Sequence, residues 1–222
     1  MPRQNRVTPL GDLIAVESRG TLLGNRGILH DAQQRIRRLF NGRRWIYCVL
    51  QFKDRRQVVM APHHYTQLFF LDEATALAAG HRPCAECQRG RYREFQTIWA
   101  AANLELAGGG APGADRMDAV LHAERLGAAK QKRTYEDRLD RLPSGTMVLP
   151  SGTEKPHIVL DGRLLPWTPA GYGTPVSRPA DAAVGVLTPR SVVRALGAGF
   201  RAVVHPSAGI GSLDNTVFPH VK

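Results

Sequence analysis

The chain has 222 residues, enough for one large domain or two small ones that each bury a core. Its composition, 43% hydrophobic and 22% charged, argues against a wholly disordered or fibrous protein. Thirty Lys and Arg against nineteen Asp and Glu give a net charge of +11, which points to an anionic partner.

The positive excess is uneven. Residues 1–105 carry 16 basic and 9 acidic residues, and residues 106–222 carry 14 and 10. It is steepest where Arg35, Arg37, Arg38, Arg43, Arg44, Lys53, Arg55 and Arg56 meet a single acid, Asp54. Such a stripe reads as a nucleic-acid footprint that grips phosphate, or as a solvated surface. Three cysteines, an odd and small number, do not suggest a disulfide framework. No secretory leader is visible, and no apolar run reaches the ~20 residues a membrane span needs. The expected setting is cytoplasmic, with no membrane partner.

In chain order, Met1 to Arg6 is polar and expected to be loose. Trp45 to Phe52 is rich in aromatic and β-branched residues and predicts a strand that buries Ile46, Cys48, Leu50 and Phe52. After a turn at Lys53 to Arg56, Gln57 to Ala61 predicts a returning strand. Asp72 to Gly80 predicts a short helix with Asp72 as N-cap and Gly80 as C-cap. A longer helix is expected from Pro83, because Tyr92, Phe95, Ile98 or Trp99 and Ala102 recur at helical spacing.

Gly108 to Ala114 is the clearest break in the chain, a domain boundary or a long surface excursion. It divides a basic module (1–107) from a small β-rich domain (117–222), with residues 108–116 as linker. Met117 to Ala128 predicts a helix. Met147 to Leu149, His157 to Leu160, Arg163 to Trp167, Val184 to Leu187 and Phe200 to His205 predict strands, with Asp161-Gly162 as a hairpin turn. Thr188 and Pro189 suit the start of a further helix. The fold class is α+β: a small zinc-binding α/β module followed by a small β-rich domain with two helices.

Cys84-Ala85-Glu86-Cys87 is the strongest chemical signal, since two thiolates at this spacing converge on one ion, Zn2+ first among candidates. A redox role is the other reading, but it usually comes with a βαβ pattern that this region lacks. Structural zinc needs two more ligands. Cys48 is one candidate, and it also reads as an ordinary core cysteine. His30, with Asp31 able to orient its ring, is another, and His63, His64 and His81 compete with it.

Residues 69–87, FFLDEATALAAGHRPCAEC, resemble the second half of the Ada-type zinc module of methyl-phosphotriester repair proteins, which also occurs in variants appended to nucleases. A looser likeness extends back through Gly24-Asn25, His30 and Cys48. The resemblance implies a ligand set of His30, Cys48, Cys84 and Cys87. It also implies that His81, standing where the family has an aromatic residue, is not a ligand. The repair proteins use a closely spaced first pair of cysteines, one of which accepts the methyl group, and this chain has no such pair. What carries over is a structural zinc site beside a DNA-facing surface, in DNA repair or processing. The basic stripe would add phosphate contacts from Arg35, Arg37, Arg38, Arg43, Arg44, Arg55 and Arg56.

Two alternatives differ in class. His122-Ala123-Glu124 together with Pro83-Cys84-Ala85-Glu86-Cys87 has the residue types of a zinc nucleobase deaminase, with His122 as ligand and Glu124 moving a proton. The order of the two motifs is reversed relative to those enzymes. An interaction module whose arginines meet an acidic protein is the other. Pro166 to Tyr172 also offers aromatic rings that could stack on bases.

Overall fold

The computed structural model describes residues 1–55, 58–177 and 181–209. Among them the chain is α+β, with two six-stranded sheets and five α-helices. The first sheet contains β1 (Gln4–Val7), β2 (Leu13–Ala15), β3 (Leu22–Asn25), β4 (Ile46–Cys48), β5 (Leu68–Phe70) and β6 (Arg82–Pro83), in the order β2-β1-β5-β3-β4-β6. The β1–β5 and β4–β6 pairs are parallel and the others antiparallel. The expected loose N-terminus is therefore partly a strand, because Arg6 finds partners on both sides, Ile14 and Phe69.

Helix α1 (Glu73–Ala78) joins β5 to β6. Then follow α2 (Arg89–Ala102), α3 (Leu104–Ala107) and α4 (Ala114–Arg125). The second sheet holds β7 (Tyr135–Arg138), β8 (Met147–Pro150), β9 (His157–Leu160), β10 (Arg163–Thr168), β11 (Gly171–Tyr172) and β12 (Ala183–Val186), in the order β11-β10-β9-β8-β12-β7. All its pairings are antiparallel. Asp161 and Gly162 both take positive φ, 46° and 75°, as a two-residue turn between β9 and β10 demands. Helix α5 (Arg190–Gly197) closes the regular structure.

Helix α1 is the joint between the two sheets, and all six of its residues are buried. Ala76 and Leu77 face a core shared with Phe70, Phe95, Trp99 and Met117. Ala74 and Ala78 face a second core with Ile158, Leu165 and Trp167. The first core takes Tyr47 and Trp99 from before the Gly-rich stretch, and Leu121, Val192 and Phe200 from after it. Residues 108–113 thus connect two helices that share one core.

Several local expectations give way to tertiary partners. Only Ile46–Cys48 of the long apolar run is strand, and its buried residue is Tyr47, while Leu50 is exposed. The buried face is therefore the opposite of the one expected. Tyr47 turns inward and gives its hydroxyl to Glu73 Oε1 at 2.5 Å. Residues 58–61 form turns and not a returning strand. Residues 200–205 are not a strand either, because the amides of Val203 and His205 donate to the Glu73 and Asp72 carboxylates at 2.7 and 3.0 Å. Pro83 lies in β6, so α2 begins later than expected, at Arg89. Thr188 does not cap α5, since its hydroxyl accepts from the Met147 amide at 2.9 Å. Asp72 does cap α1, accepting from the Thr75 amide at 2.8 Å.

Gly80 follows α1 with φ +82°, and a Cβ there would lie 2.5 Å from Arg125 Cδ. Its carbonyl accepts from Arg125 Nη1 at 2.8 Å. Gly80→Ala is expected to cost at least ~1–2 kcal/mol, through both the left-handed backbone and the displaced guanidinium. Urea unfolding checks this, and a loss below ~0.5 kcal/mol would contradict it.

Candidate metal centre

The parallel pairing of β4 with β6 assembles the site. Ile46 lies opposite Arg82 and Tyr47 opposite Pro83, so the next residues, Cys48 and Cys84, arrive side by side. The Cys84 amide fixes this junction by donating to the Tyr47 carbonyl at 2.9 Å. The chain then turns through Ala85 and Glu86, with the Gln88 amide bonded back to the Cys84 carbonyl at 3.2 Å. The sulfurs of Cys48, Cys84 and Cys87 lie within 4.8 Å of one another. None is in a disulfide.

Three features suit this cluster to a metal. Ligands at Zn–S distances of about 2.3 Å in a tetrahedron place sulfurs about 3.8 Å apart, which small side-chain rotations reach from here. The amides of Glu86 and Cys87 point at the Cys84 sulfur, and the Val49 amide at that of Cys87. Such donors favour thiolate over thiol. Finally, the sulfurs share charge. Hydrogen bonds from Cys48 and then Cys87 pull the Cys84 thiol far below its ordinary range, whereas the bond to Cys84, followed by that to Cys87 and burial, pushes Cys48 far above it. Sulfurs that share charge in this way suit a cation, which would ionise them further.

The structure does not bring His30 into this group. Its Nδ1 lies 2.6 Å from the Thr66 hydroxyl and its Nε2 3.2 Å from the Ala61 carbonyl, so both ring nitrogens serve the loop packing instead. His81 is buried among Phe70, Trp45 and the Arg26 guanidinium, which donates to its Nε2 at 3.1 Å. Burial, followed by the charges of Arg26 and Arg125, holds its imidazole neutral, well below the usual range. His63 and His64 are exposed and are not part of the sulfur group. Among the described residues, no fourth His, Cys, Asp or Glu joins the three sulfurs.

His122 and Glu124 are engaged elsewhere. His122 packs edge-on against Phe40 and its Nδ1 lies 3.0 Å from Arg125 Nη2. Glu124 binds the Ser191 amide at 3.1 Å and hydroxyl at 2.6 Å, so it caps α5 from another helix. Neither stands with Cys84 and Cys87, and the deaminase arrangement is not formed. The aromatic loop is occupied too: Trp167 donates to Thr75 Oγ1 at 3.1 Å and the Tyr172 hydroxyl to Asp72 at 2.7 Å.

Arg35, Arg37, Arg38, Arg43, Arg44 and Arg55 are exposed, and Arg56 lies outside the described residues. Arg37 pairs with Asp31 at 2.6 Å and Arg55 with Glu86 at 2.5 Å. Cys48, Cys84 and Cys87 line a cleft of about 720 Å³ whose wall includes Arg6, Arg19 and Arg55 with Phe52 and Phe69. Arg6 and Arg19 are isolated in the sequence, and net charge was the only signal that could have pointed to them. No described helix is long and apolar enough to cross a membrane. Comparison with family models, curated proteins and solved structures finds no match for the chain.

Proposed function

We propose that this is a zinc protein that contacts nucleic acid through its phosphates, built on a variant Ada-type module spanning residues 24–87 and serving DNA repair or processing. The observation that carries the reading is the trio of Cys48, Cys84 and Cys87, with backbone amides aimed at two of the sulfurs. Cys48, Cys84 and Cys87 would hold the ion. When bound, the ion ties the end of β4 to the turn before α2. The segment that resembles the Ada module, residues 69–87, contains β5, α1, β6 and both cysteines of the turn.

The phosphate-binding part of the reading rests on exposed charge. Arg35, Arg38, Arg43 and Arg44 lie in the connection between β3 and β4, the strand that ends in Cys48, and all four are exposed. Each arginine that reaches a duplex phosphate adds about −0.9 to the slope of log K against log salt. Replacing these four by Ala should therefore flatten the slope by ~2 to 4 in fluorescence anisotropy with a labelled duplex. Binding that is absent at low salt, or a slope unchanged in the variant, would refute the phosphate role. Mutating sulfur ligands tests the metal separately.

A further inference from the structure

We propose that the three-sulfur centre is open to its cleft and takes, as fourth ligand, a small exogenous thiol that also carries an anionic group. The inference rests on the metal reading above. All three cysteines line the cleft, and among the described residues no fourth protein ligand stands with them. A tetrahedral ion held there keeps one position for a group from outside, as open zinc sites do. The donor set is entirely sulfur, which favours soft ligands and soft metals. A thiol, R–SH, would bind as R–S⁻, forming one metal–sulfur bond, displacing a water and releasing its proton to solvent.

The cleft wall supplies the second half of the recognition. Arg19 has no hydrogen-bond or ion-pair partner among the described residues. Arg6 stands near enough for the two guanidinium charges to repel, and it lies over the Phe69 ring at 4.7 Å. Arg6 already donates to the Ser18 carbonyl and to Asn5 Oδ1, so the unpaired Arg19 beside it is the cation that favours an anion in the cleft. Arg55 is held at the rim by Glu86. Leu23 and Phe52 give the same space apolar surface, room for the carbon frame of a small molecule.

The test uses the full chain loaded with Co(II), whose visible spectrum reports its ligands. Thioglycolate, 2-mercaptoethanol and acetate are titrated separately. Thioglycolate is expected to raise the sulfur-to-cobalt absorption saturably, with half-saturation at least about fivefold below that of 2-mercaptoethanol. Acetate is expected to leave that absorption unchanged. In Arg19→Ala, which removes an exposed side chain, the two thiols should become equivalent. A spectrum that no thiol alters overturns the open position. Equal affinity for both thiols in the unmodified protein overturns the anionic requirement. Failure to bind Co(II) in a one-to-one ratio overturns the metal reading itself, an outcome distinct from the others.

Discussion

Cys84→Ser is expected to abolish stoichiometric zinc binding, lowering affinity by more than ~100-fold, since even partners one step removed from a metal cost 10–100-fold. Cys84 is the centre of the sulfur group. It takes hydrogen bonds from both other cysteines and from two backbone amides. Serine keeps the volume but replaces a soft thiolate with a hydroxyl that stays protonated near neutral pH. Cys48→Ser should behave in the same way if β4 delivers a true ligand. Because the thiols must lose protons to bind, affinity in the unmodified protein should fall as pH is lowered, with protons released on loading. Metal analysis after gel filtration, together with calorimetry at two pH values, checks this. Full zinc content in Cys84→Ser would refute the site. Removing zinc from the unmodified protein should lower its melting temperature without unfolding it, because both sheets bury apolar cores of their own.

Asp118→Ala should destabilise the protein by ~3–5 kcal/mol, a fall of roughly 6–20 °C in Tm for a chain of this size. Arg82 and Asp118 form a two-pronged pair, Nε to Oδ1 at 2.9 Å and Nη2 to Oδ2 at 2.8 Å. Their side chains are only 2% and 4% exposed. Removing the acid leaves a guanidinium buried without its counter-charge, and this is the larger part of the cost. The double variant Arg82→Met/Asp118→Leu should recover most of the loss, because two apolar side chains of similar size need no pairing. Thermal unfolding of the three proteins separates the terms. If Asp118→Ala costs under ~1 kcal/mol, the pair carries no such weight. Arg82 lies two residues before Cys84, and Asp118 lies on α4 beyond the Gly-rich stretch. The pair therefore anchors the strand that presents the cysteines. The double variant is expected to retain zinc, which distinguishes loss of fold from loss of ligands.

The positive charge was legible in the sequence, but its distribution was not. Arg26, Arg82 and Arg125 are each 2% exposed or less. Arg26 and Arg125 lie over the Trp45 ring at 4.1 and 3.9 Å, and burial followed by the nearby Arg26 and Arg125 charges brings Lys132 down to about 7. Part of the net charge is thus interior, packed on an aromatic ring and on backbone carbonyls. A count of arginines cannot separate these from Arg35 or Arg43, because the difference lies in what surrounds each side chain. Glu124 shows the same limit: near His122 it reads as a proton carrier, yet it faces the free amides of a helix that follows much later in the chain.

By itself, the sequence determined what local chemistry decides. The α+β class, the α1 segment with Asp72 at its start, the Asp161-Gly162 turn and the Cys84–Cys87 pair all follow from patterns spanning a few residues. Capping, positive φ and short ligand spacing act over that range and need no distant partner. Tertiary structure decided which distant groups meet. The parallel register of β4 and β6 turned Tyr47 inward and left Cys48 beside Cys84, opposite to the face that the apolar pattern favours. The same packing bound His30 to Thr66 and Ala61 and left the three cysteines lining a cleft. The face a strand residue takes depends on its pairing register, and that register is set by partners far away in the chain.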